Sequence, residues 1–153
     1  MKKQLLTLIA ILITSVSFAQ KTDSIPFAGA TKIIITNANK AEDNYKLAAK
    51  ILLDQNYIID KSDKEFFQLY TASAPVYGEG VTRLLSIYVL SRDSSITVIG
   101  RAKKKEGMQI VNIQQDTDNY EILPYKKSKL MKEIFSKTSA YAKLFGSTFL
   151  YSE

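Results

Sequence analysis

Acid–base and nucleophilic chemistry have few carriers in this chain, which contains no histidine and no cysteine. A serine nucleophile of the common kind needs a neighbouring general base, most often histidine, to accept its proton. The lysine-assisted alternative wants Ser-x-x-Lys, and no serine here has lysine three residues later. Ser128 and Lys132 stand one helical turn apart, a spacing at which surface side chains are ordinarily just solvated. Without cysteine there is no thiolate catalysis, zinc–thiolate site or disulfide framework, and nothing to carry a lipoprotein lipid. The residues predict a protein that is not an enzyme and uses no cofactor.

Two further constellations come close to a site and fall short. Asp116, Asp118 and Glu121 gather in a polar segment, and oxygen-rich loops hold calcium. An EF-hand counted from Asp116 would need Gly at its sixth position and Glu at its twelfth, where this chain has Glu121 and Lys127. A solvated acidic loop is the plainer reading, and no metal site is assigned. Gly78-Glu79-Gly80 lacks the following helix, Lys and Ser/Thr of a phosphate-cradling loop. It reads as a flexible turn between strands.

The basic clusters carry more content. Arg101 with Lys103, Lys104 and Lys105 forms one; Lys126, Lys127, Lys129 and Lys132 form another at the start of a helix. The helix macrodipole favours anions at that end by about 0.3–1 kcal/mol, so local stability did not select lysines there. Lys103, Lys104, Lys105, Lys126 and Lys127 are therefore candidate binding residues for an anionic lipid surface or an envelope protein. A soluble lysine-rich surface is the plainer alternative. Leu84 and Tyr88 are candidates on another ground. Both faces of the segment Val81 to Ser91 carry large apolar side chains, whereas a sheet covered on one side should be polar on the other. That second face awaits the chain's own tail, a protein partner or an apolar ligand.

Several elements must position these groups, and the first nineteen residues are not among them. Lys2 and Lys3, the apolar run Leu5 to Val16 and the small residues of Ser17-Phe18-Ala19 make a signal peptide with cleavage between Ala19 and Gln20. No later stretch approaches the ~20 apolar residues of a transmembrane span. The expectation is an exported chain, periplasmic or secreted. Losing Lys2 and Lys3 lowers the 21 basic side chains by two against 15 acidic ones, so the net charge falls from +6 to +4. That bias is weak for a nucleic-acid binder, and export argues against that partner as well.

In the mature chain, Gln20 to Thr31 reads as an extended arm and Lys32 to Thr36 as a β-branched strand. Asn39 followed by Glu42 resembles a capping box opening a helix to Gln55, with Asn56 as its left-handed stop. Tyr57 to Asp60, Glu65 to Ser73, Val81 to Ser91 and Ser95 to Ala102 read as strands. Breaks are expected at Lys61 to Lys64, at Pro75 with Gly78 to Gly80, and at Arg92 to Ser94. Lys103 to Gly107 is expected as a charged turn, Met108 to Ile113 as a further strand, Lys126 to Phe145 as a second amphipathic helix, and Thr148 to Tyr151 as a last strand.

This order predicts an α+β two-layer sandwich, with an antiparallel sheet of about four to six strands in a β-α-β-β-β-β-α order and two amphipathic helices packed on it. Residues 1–19 form the signal peptide, 20–31 the arm and 32–153 a single domain. The order is similar to helix-grip and cystatin-like folds and to small domains of bacterial envelope assembly lipoproteins, a likeness of topology that carries no signature residues and transfers no function. The function expected is that of an exported, non-enzymatic binding or interaction protein of a bacterial envelope. A carrier of a small apolar ligand or lipid, with a pocket lined by residues such as Leu52, Phe67 and Phe135, is the alternative, and a hydrolase without His or Cys is the third reading.

Overall fold

The segment that alternates over the greatest length forms the longest strand and the middle of the sheet. The computed structural model describes residues 22–104 and 119–153. Among them, nine strands and two helices follow in order: β1 (Thr22–Asp23), β2 (Lys32–Thr36), α1 (Ala41–Asp54), β3 (Ile59–Asp63), β4 (Gln68–Thr71), β5 (Ala74–Gly78), β6 (Val81–Arg92), β7 (Ser95–Lys104), β8 (Glu121–Ile122), α2 (Lys129–Ala142) and β9 (Phe149–Ser152). The strands form one sheet in the order β1-β9-β2-β7-β6-β4-β3, with β5 paired to β6 and β8 to β7. Every pairing is antiparallel. The α+β class holds, while the strand count and order correct the expected four to six strands. The signal peptide with its Ala19/Gln20 cleavage, Lys105, the strand expected at Met108 to Ile113, and Asp116 and Asp118 lie outside the described residues.

The added strands have local causes. The sequence places a break in the ladder at Pro75, yet it lies in β5, which among the described residues pairs only with β6 and so sits at an edge where a missing N–H donor is tolerated. Glu79 and Gly80, with φ of 53° and 72°, then form a two-residue turn of the kind that matches strand twist and join β5 to β6. Phe67, with φ of 52°, closes the turn before β4, so that strand begins at Gln68 and not at Glu65. Lys103 and Lys104 finish β7 and are not a turn. β8 pairs with Arg101 and Ala102, on the stretch of β7 beyond the residues that β2 occupies. In the arm, Thr22 and Asp23 pair with Ser152 and Tyr151.

Each helix begins beneath a carboxylate from a distant β-turn. The Ala41 N–H of α1 donates to Asp93 at 2.8 Å. Asn39 does not cap, because its amide points to Asn44, and Glu42 pairs with Lys46 at 2.6 Å. After α1, Asn56 adopts φ of 61°, the left-handed stop expected of it. In α2, Ser128 accepts from the Met131 N–H at 3.3 Å and Glu79 accepts from the Lys129 N–H at 2.9 Å. The helix runs from Lys129 to Ala142, shorter at both ends than the periodicity implied.

Both helices cover the same sheet face. Ile33, Ile35, Leu69, Ile87, Val89, Ile96 and Val98 of the strands join Ala48 and Leu52 of α1 and Leu130, Ile134 and Phe135 of α2 in one buried cluster. Burying each large side chain contributes about 1.5–3 kcal/mol, which is what holds the helices down. At Gly100 the layers come so close that an added Cβ would clash with the Thr138 hydroxyl oxygen.

Candidate functional site

The sheet's antiparallel register decides which side chains meet on the face away from the helices. Tyr88 stands opposite Tyr70 on β4 and Ile99 on β7, Ser86 opposite Arg101, and Leu84 opposite Lys103 and Pro75. The Tyr70 and Tyr88 rings stack with centroids 4.8 Å apart. The Arg101 guanidinium lies 5.0 Å from the Tyr70 ring and 5.2 Å from the Tyr120 ring, and the Lys103 ammonium lies 4.9 Å from Tyr120. Cation–π contacts at such distances are worth about 0.5–1 kcal/mol at exposed sites. Burial is the main reason the Tyr88 hydroxyl titrates above its ordinary range; Tyr70 adds to the shift, and Arg92 and Arg101 oppose it.

A depression of about 260 Å³ opens beside Arg101, lined by Asp60, Lys61, Tyr70, Ser86 and Tyr120. The Ser86 hydroxyl is already engaged by the Thr71 carbonyl at 2.7 Å. A broader depression of about 460 Å³ lies where β6 ends, between the Phe66–Phe67 turn and the start of α1. The residues expected to line a carrier's pocket are part of the packed interior: Leu52 and Phe135 are buried, and Phe67 packs against the cluster that holds them.

The lysine clusters, separate in sequence, lie at one end of the sheet. Lys103 and Lys104 close β7, opposite Leu84 and Arg83 near the start of β6. Lys126 and Lys127 run between Tyr125, hydrogen-bonded to Ala30 just before β2, and Lys129, whose N–H meets Glu79 of the β5–β6 turn. Lys126, Lys127 and Lys129 are exposed, while Lys103 is half-buried on the helix-free face. The clusters therefore approach the same end from opposite sides of the sheet. Tyr77, 68% exposed, Val81 and Ile122, 48% exposed, protrude there as well. Glu79 resolves the apparent conflict of lysines with the α2 dipole, since its carboxylate supplies the anion at the helix start.

Ser128 has a structural task as the N-cap of α2. Glu121 pairs in β8 and is exposed. Among the described residues, no group of three acidic side chains is arranged to hold a metal ion, and no helix is long and apolar enough to cross a membrane. The alternation of β4 and β6 placed Tyr70 and Tyr88 each on a face, but only the register brings them together with Arg101 and Tyr120. No protein-family model matches the chain, and no curated protein matches it.

Proposed function

We propose that the chain is an exported, non-enzymatic binding protein of the bacterial envelope, released by cleavage between Ala19 and Gln20, that docks the Lys103 end of its sheet on an anionic lipid surface. One observation carries the reading: two lysine clusters far apart in sequence share the end at which Tyr77, Val81 and Ile122 protrude. Lysines beside apolar and aromatic tips are the combination that holds a protein at the headgroup level. At about 1 kcal/mol for each basic residue near an anionic bilayer, Lys126, Lys127 and Lys129 supply about 3 kcal/mol together. Insertion of the β5–β6 turn adds to this.

The reading is tested by sedimenting the mature chain, residues 20–153, with vesicles containing phosphatidylglycerol and with vesicles of phosphatidylcholine alone. Binding to the anionic vesicles that weakens as salt rises is the expected result. Equal binding to both, or to neither, contradicts it; a chain that ignores lipid but is captured by an acidic envelope protein would move the same lysines to a protein partner.

A further inference from the structure

We infer that Tyr70 and Tyr88 form a site of oxidative modification, at which a carbon–carbon bond between the two rings staples β4 to β6. The register puts this pair where side chains come closest. The Ser91 N–H donates to the Phe67 carbonyl at 3.0 Å, so the hydrogen-bonded pairs of the two strands fall at alternate steps counted from Phe67 and Ser91. Tyr70 and Tyr88 are direct partners three steps along. They are therefore a non-hydrogen-bonded pair, the kind with the shorter separation of about 4.5 Å between Cα atoms. Their rings accordingly stack with centroids 4.8 Å apart and planes 23° from parallel.

Phenols placed in this way couple when they meet a one-electron oxidant. Each ring loses an electron and its hydroxyl proton, which leaves a neutral radical with unpaired density on the carbons ortho to the oxygen. Two such radicals side by side join through those carbons, and the ring hydrogen at each joined carbon moves to the oxygen, so both phenols are restored. The pair loses two protons to water and two electrons to a peroxide, whose O–O bond breaks as it is reduced. Small oxidants can reach the rings: both are half-buried, Tyr70 lines the depression beside Arg101, and Tyr88 lines the broader one at the end of β6. Tyr57 and Tyr141 approach more closely, at 4.4 Å, but they pack against the buried cluster, where close packing resists the tilt that bond formation needs. The strand pair stands on the helix-free face and keeps that freedom. Such a bond is a covalent staple open to a chain without cysteine.

The test illuminates the folded chain, at low concentration, with a ruthenium tris-bipyridyl sensitiser and peroxydisulfate, and follows dityrosine emission and the mass of the chain. A monomer lighter by two hydrogens, in which the peptides that hold Tyr70 and Tyr88 are joined, is the expected result. Tyr70→Phe and Tyr88→Phe, which keep the ring packing, should each abolish that link. Tyr77→Phe should leave it in place, and unfolding in urea before illumination should remove it. The linked chain should unfold at a higher urea concentration than the unlinked one, because the bond constrains the unfolded state as a disulfide does. A link between Tyr57 and Tyr141 or between Tyr70 and Tyr120 in its place, dimers without an internal link, a link that survives either Phe variant at the pair, or a linked chain that unfolds at lower urea overturns the proposal.

Discussion

The two ends of the sheet use polar residues in opposite ways. At the Ser95 end, Asn44 is fully buried and accepts from the Asn37 and Asn39 amides at 2.7 and 3.3 Å. Its own amide donates to the Arg92 carbonyl at 2.9 Å and lies 3.3 Å from the Ser95 carbonyl. Asp93, in the turn beside these carbonyls, caps α1. At the Lys103 end, among the described residues, Glu79 and Ser128 serve the start of α2, while Lys126, Lys127 and Lys129 beside them are exposed. One end closes the fold with its polar groups; the other presents them. A buried polar residue is costly unless satisfied, so satisfied polar clusters mark structure, and the concentration of like charge at the other end is what the proposed docking rests on.

The largest expected effect lies at the closed end. Asn44→Leu should lower unfolding free energy by about 2–4 kcal/mol in urea titration, because it strands the Asn37 and Asn39 amides and two carbonyls. Midway between the ends, Gly100→Ala should cost about 1–3 kcal/mol, since its methyl meets Thr138. The double variant with Thr138→Ala should recover part of that loss, read as a coupling energy in a double-mutant cycle.

The two remote caps sharpen the comparison further. Asp93→Ala should cost about 1 kcal/mol, because α1 has no side-chain cap of its own. Glu79→Ala should cost less, as α2 keeps Ser128, while adding net positive charge and so strengthening association with anionic vesicles. Alkaline pH gives a smaller effect. Burial raises the Tyr88 and Tyr141 hydroxyls above the ordinary 10.0. A folded-state pKa above the unfolded one adds stability that is fully present below pH 10.0 and lost as pH rises through the raised values. Tyr88→Phe should therefore flatten the decline of melting temperature above that pH. The smallest effect belongs to the open end: changing Lys126, Lys127 and Lys129 to Gln together should shift stability by no more than about 0.5 kcal/mol while greatly reducing vesicle binding.

Local patterns were readable from the sequence wherever one residue's neighbours decide its state. The three-and-four spacing of Tyr45, Ala48 and Leu52 marks the buried stripe of α1, Asn56 marks its end, and the strict alternation from Val81 marks β6. Pairings over long separations were not readable. Asp93 and Glu79 cap helices that start about fifty residues away in the chain, so Asn39 and Glu42 resembled a capping box that the fold does not use. Pro75 signals a break only until its place at an edge is known. Leu84 and Tyr88 were legible as side chains on a second face. That Tyr88 stacks on Tyr70, and that Arg101 lies between Tyr70 and Tyr120, follows from register, which single-strand periodicity does not encode. The convergence of the two lysine clusters has the same cause.

The absence of cysteine allows a direct test of the proposed docking through the basic end. An environment-sensitive fluorophore on Val81→Cys, at the Lys103 end, is compared with the same label on Lys64→Cys, at the Ser95 end, as phosphatidylglycerol vesicles are added. A blue shift and quenching by lipid-borne quenchers at position 81, with no change at position 64, is the predicted result. Burial of the position 64 label, or equal response at both positions, would contradict docking through the basic end.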